Sequence, residues 1–98
     1  MTVEHPYHHL LSLISSINAS ASVKKIAWAI VNDSFELPLC LQFLPQRIAE
    51  AALLMSLELS DLELAAKFES KIVESRVPVD KIRADLIDMY EWHEANIV

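Results

Sequence analysis

Residues 45–59 read Pro45-Gln46-Arg47-Ile48-Ala49-Glu50-Ala51-Ala52-Leu53-Leu54-Met55-Ser56-Leu57-Glu58-Leu59. Proline suits a first helical turn, where its missing N–H is not needed. The run after Pro45 is Ala-rich, apolar on most sides and nearly uncharged. A helix of that kind must be surrounded by other helices, because no face is left for water. The run therefore predicts a bundle built around a central helix. Ile48, Ala51, Ala52, Met55 and Leu59 make its expected inner stripe. Ala49, Ala52 and Ser56 recur at helical spacing and are small, so a neighbouring backbone can come close.

The rest of the chain agrees with helices. None of the 98 residues is glycine. That removes Asn-Gly and Asp-Gly hairpin turns, phosphate-cradling loops and dinucleotide fingerprints. Four prolines must punctuate the chain instead. The length fits one domain spanning 1–98, and 53% apolar residues are ample for a core.

Helix one is expected from Pro6, with Tyr7, Leu10, Leu11, Ile14 and Ile17 as its apolar stripe and Asn18–Ala21 as the turn after it. Helix two is expected to start with Ser22 as cap. Val23, Ile26, Ala27, Ile30 and Ser34 line one face, and Trp28, Val31 and Phe35 add a second strip. Pro38 forbids its continuation. Leu37, Leu39, Leu41 and Phe43 alternate, which reads as extended chain crossing the core. A fourth helix spans Asp61 to Ser75, stopped by Val77-Pro78, and a fifth is capped by Asp80 with Ile82, Leu86, Met89 and Tyr90 inward. The tail from Ala95 is expected to fray.

Charge and cysteine content narrow the function. Fourteen acidic residues stand against eight basic ones, for a net charge of −6, and the longest basic cluster is Lys24-Lys25. Nucleic-acid binders show a basic face, so direct binding of DNA or RNA is not expected. The single Cys40 excludes an internal disulfide and suits a reducing compartment. It reads as a small buried hydrophobe, since no helper residue can be placed beside it for nucleophilic work. Met1 to His9 holds no signal-peptide core and no run reaches membrane-span length, so cytosol or nucleus is the expected setting.

The pattern of five helices around an Ala-rich third one resembles a cyclin box on particular residues. His5-Pro6-Tyr7-His8-His9 resembles the start of the second box of transcription-type cyclins. Ala27-Trp28 followed by Asn32-Asp33-Ser34 resembles the second helix of that box in cyclins K and L and in the fungal cyclin of the RNA polymerase II tail kinase. Pro45 with Ile48-Ala49 and Ala51 is similar to the family's third-helix pattern, and Ile82 to Tyr90 to its fifth helix. The resemblance implies an all-α five-helix cyclin-box bundle. It also implies a non-catalytic regulatory subunit that resides in the nucleus and binds a cyclin-dependent kinase acting on the RNA polymerase II tail, together with associated subunits. Cyclins carry two boxes, and this chain has room for one. The first-box residues that grip the kinase have no counterpart here, and a first box on a longer parent chain is a further expected partner.

Several residues invite sharper readings. Pro6, Trp28, Asn32, Asp33, Ser34, Pro45, Ile48, Ala49 and Ala51 are the family-motif positions, expected to be mainly structural. Trp28 reads as an anchor between helices, or as a partner hot spot if partly exposed. Trp92 is the candidate partner surface. Asn32-Asp33-Ser34 reads as a polar lock at a helix end, since short polar side chains bond backbone groups there. Catalysis by that trio would need a base or nucleophile within reach, and no such pattern is present. His5 and His9 lie one helical turn apart, but structural zinc needs four converging ligands, so neither a metal nor a cofactor is expected. Asp61, Glu63, Asp85, Asp88, Glu91 and Glu94 read as a solvated acidic face, or as a dock for a basic peptide. Two other functions fit the same helices. One is a cyclin-fold general transcription factor domain, which the acidic charge opposes; the other is a stand-alone interaction or dimerisation module.

Overall fold

The computed structural model describes residues 6–37 and 42–96, with side chains from Tyr7 to Glu94 within those ranges. Five α-helices occur among them: α1 (Pro6–Ile17), α2 (Ala21–Ser34), α3 (Pro45–Ser60), α4 (Leu62–Lys71) and α5 (Arg76–Asn96). A short 3-10 turn, Val73–Ser75, joins the last two. No strand occurs among the described residues.

The helix α3 is the centre, packing against α1, α2, α4 and α5. Ile48, Ala49, Ala51, Ala52, Leu53, Leu54 and Leu57 are all fully buried, as the nearly uncharged run requires. The small side chains Ala49, Ala52 and Ser56 are buried as well, and the Ser56 hydroxyl donates to the Leu53 carbonyl at 2.7 Å. Two positions of the expected inner stripe differ. Met55 is half-buried and packs against the edge of the core, and Leu59 is exposed, because the ring of helices covers α3 only as far as Leu57.

The turns show how a chain without glycine closes its helices. Asn18 adopts φ 53° after α1. Its N–H donates to the Ser15 carbonyl, and the Ala19 N–H to that of Ile14, the paired bonds of a Schellman ending. Asparagine is the residue that best tolerates this left-handed position when glycine is lacking. Ser20 rather than Ser22 then caps α2, its hydroxyl accepting from the Val23 N–H. Asp61 serves two helices at once. Its N–H donates to the Leu57 carbonyl at the end of α3, and its carboxylate accepts from the Leu64 N–H at the start of α4.

The expected break at Val77-Pro78 lies elsewhere. The α4 helix ends at Lys71, Ile72 is buried at the corner, and α5 begins at Arg76, four residues before the expected cap Asp80. Pro78 sits in the first turn of α5, where its missing N–H leaves nothing unpaired. Glu74, whose carbonyl a proline would strike in a continuous helix, belongs to the 3-10 turn instead. Asp80 is thus inside α5, where it pairs with Arg76 and Arg83. Val73, in the 3-10 turn, faces solvent. The α5 helix runs through Asn96, and the last residues of the tail expected to fray, 97–98, lie outside the described residues. Of the segment read as extended, Leu37 is in a turn closing α2 and Gln42 is helical, while 38–41, including Cys40, lie outside the described residues.

Candidate partner-binding face

Three aromatic rings meet where α1 crosses α2. Tyr7 stacks on Trp28 with centroids 4.3 Å apart and planes 16° from parallel. Phe35 meets Tyr7 edge-on at 6.1 Å. Such pairs add roughly 0.5–1.5 kcal/mol to simple area burial. Trp28 is half-buried and stacked between α1 and α2, with an edge that reaches the surface. Burial raises the Tyr7 phenol above its ordinary pKa.

The polar trio after Trp28 fans out in three directions. Asn32 is exposed. Ser34 is buried, and its hydroxyl donates to the Val31 carbonyl one turn back. The Asp33 carboxylate accepts a 2.8 Å hydrogen bond from the Tyr90 hydroxyl on α5. Just beyond, Glu36 and His93 Nε2 lie 2.9 Å apart. Asp33 and Glu36 are three residues apart, as are Tyr90 and His93, so each pair shares a side of its own segment. The end of α2 is thereby pinned to the last turns of α5. Burial first, and then the Asp33 hydrogen bond and the Asp33 and Glu36 charges, push the Tyr90 phenol well above its ordinary pKa. Its neutral form is the one the site holds.

Trp92 comes two residues after Tyr90 on α5 and is 62% exposed, with its ring edge-on to His93. Asp88, Glu91 and Glu94 are exposed around it, as are Asp61 and Glu63 at the start of α4, while Asp85 is half-buried and paired with Lys81. The third-helix motif positions are interior: Ile48, Ala49 and Ala51 are fully buried, and Pro45 opens α3 half-buried. Ile48, Ala49 and Ala51 thus set the packing of α3. Pro6 opens α1.

Two polar links are not legible in the sequence. Arg47 bonds both Glu50, three residues on, and Ser75 of the 3-10 turn. Arg83 of α5 pairs with Glu58 of α3. Each therefore ties a charge of the central helix to a distant element. The helical spacing of Arg47 and Glu50 is the available signal; Ser75, 28 residues away, has none. His8 is exposed and His9 half-buried, and His5 lies outside the described residues. Among the described residues no group of three His, Cys, Asp or Glu side chains comes together to hold a metal. No described helix is long and apolar enough to cross a membrane. This end of the molecule presents a braced helix pair with aromatic edges, suited to non-covalent contact.

Comparison with known proteins gives the chain its relatives. Cyclin pch1 of Schizosaccharomyces pombe is 36% identical over 89 residues, covering 87% of this chain and 26% of that protein. Cyclin-T1-2 of Arabidopsis thaliana is 30% identical over 97 residues, covering 93% and 21%. Cyclin-C1-1 of Oryza sativa subsp. japonica is 30% identical over 94 residues, covering 96% and 36%. The chain thus spans between about a fifth and about a third of the length of these relatives. No family model matches it. No solved structure matches it.

Proposed function

We propose that this chain, a homologue of the cyclins over most of its length, is a single cyclin box in the non-catalytic regulatory subunit of a cyclin-dependent kinase acting in transcription. The observation that carries the proposal is the likeness to cyclins across 87–96% of the chain. The five-helix bundle around a buried α3 supports it. The finer reading is a second box. The His5-Pro6 start, Trp28 with Asn32-Asp33-Ser34, and the Pro45 to Ala51 pattern favour it. On this reading the box works by binding and recruitment in the nucleus, on a kinase of the RNA polymerase II tail. Trp92 faces either a first box on the parent chain or a kinase-associated subunit. Asp33 and Tyr90 act as positioning residues that hold the end of α5, and with it Trp92, in place.

The test is capture from native cell extract on the immobilised chain and on its Trp92→Ala variant, read by mass spectrometry. The expected result is recovery of a cyclin-dependent kinase or its associated subunits on the parent chain and less on the variant. Recovery of neither from extract known to contain both overturns the reading for this chain. A second reading, a self-associating module, is favoured by the exposed Leu59, Leu62, Val73 and Val77. A tight dimer in sedimentation, with no kinase bound, would select it.

A further inference from the structure

The outer face of α2 forms a groove of about 680 Å³ lined by Ala21, Lys24, Lys25, Trp28, Ala29 and Asn32. Its wall is mostly apolar, made by the alanines, the Trp28 edge and the stems of the lysines. We infer that this groove docks an acidic peptide segment of a partner protein, with an apolar side chain against Trp28 and Ala29 and carboxylates on Lys24 and Lys25.

Charge placement sets the sign of the partner. Residues 45–96 hold eleven acidic and six basic side chains, whereas residues 6–32 hold two basic and no acidic ones. The first acids after Lys25 are Asp33, bonded to Tyr90, and Glu36, beside His93. Arg47, Arg76, Lys81 and Arg83 each pair with a carboxylate. Lys24 and Lys25 do not, among the described residues; nor do Lys67 and Lys71, but those two lie on α4 among Glu63, Glu69 and Glu74, whereas no acid neighbours Lys24 and Lys25 on α1 or the first three turns of α2. An acidic segment is therefore repelled by α4 and α5 and attracted to this one face, which fixes both partner sign and orientation. Lys24 also stands in the first turn of α2, where a cation opposes the helix dipole and helix stability gives no reason for it. Trp28 is held rigid by its stack on Tyr7, so it presents an aromatic edge with little ordering cost. Two lysines suit a pair of carboxylates. A nucleic acid would need a longer basic track and would meet the acidic remainder of the chain.

Docking in this groove is independent of kinase binding and is tested apart from it. In a Trp92→Phe background Trp28 is the remaining tryptophan, and its emission reports the groove directly. The probe is a short synthetic peptide with one leucine between aspartates and glutamates. Comparison probes are the same peptide with Asn and Gln in place of the acids, and an oligothymidylate. The acidic peptide is expected to bind saturably below about 1 mM, to shift Trp28 emission, and to lose about tenfold in affinity with Lys24→Glu plus Lys25→Glu. Both substitutions are on exposed helix positions, and an unchanged helical circular dichroism signal shows the variant folded. Equal binding of the neutral peptide, insensitivity to charge reversal, absence of saturation, or tighter binding of the oligothymidylate each overturns it.

Discussion

The middle of α3 and the junction of α2 with α5 hold the molecule together in different ways. In α3, Ile48 to Leu54 is closed off from water on every side apart from the near-buried Glu50, which Arg47 neutralises. Stability there comes from apolar burial, which is non-directional and scales with area. At the junction, Asp33, Glu36, Tyr90 and His93 meet across 57 residues of sequence through two polar contacts. Such contacts contribute little net energy but fix geometry. One region decides whether the chain folds, and the other decides where the end of α5 points.

The strongest way to break that contrast is to open a hole in α3. Leu53→Ala removes a fully buried side chain with no route for solvent to fill the space. It is expected to cost about 2–5 kcal/mol in chemical denaturation. A loss below about 1 kcal/mol would mean the ring of helices around α3 is looser than its burial implies.

The two regions also differ in how far they can be read in advance. The α3 run declares its environment by composition alone, because a helix with three charges in fifteen residues has few other places to be. The helix ends are harder, and each miss has a local cause. Ser20 and Ser22 are equally good caps by type, and the Schellman ending at Asn18 decides between them by fixing where α1 stops. Val77-Pro78 reads as a stop, although proline is as welcome in the first turn of α5 as in those of α1 and α3. The Asp33 to Tyr90 bond is a long-range product of packing, for which neither residue carries a sequence signal.

Overfilling α3 sharpens the same side of the comparison. Ala52 is fully buried in a row of small side chains at 49, 52 and 56. Ala52→Leu should force neighbouring helices apart and cost about 1–3 kcal/mol. The same change at exposed Ala66 of α4 should be nearly neutral, which separates a packing effect from helix propensity.

At the junction the expected effect is smaller and depends on pH. Tyr90→Phe removes the hydrogen bond to Asp33 and should cost about 0.5–1.5 kcal/mol at neutral pH. Because the folded chain raises the Tyr90 pKa above the ordinary 10.0, the native state binds this proton more tightly than the unfolded one. That contribution is complete below about pH 10 and is lost as pH rises through and beyond it. Thermal melts of the parent should therefore fall between about pH 9 and pH 11 more steeply than those of Tyr90→Phe. Parallel slopes would show that folding does not raise the Tyr90 pKa.

The smallest stability effect is expected at Trp92, and the smallness is informative. The ring is 62% exposed and stands edge-on to the neighbouring His93. Trp92→Ala should change stability by no more than about 0.5 kcal/mol. A largely exposed indole on a braced helix adds little to folding, so its stability effect and any binding effect can be read apart. If the substitution leaves the melting curve in place while weakening capture of kinase subunits, Trp92 belongs to an interface, and the Tyr90 and His93 contacts matter because they aim it. A stability loss comparable to that of Leu53→Ala would instead make the last turns of α5 part of the core and dissolve the distinction between the two regions.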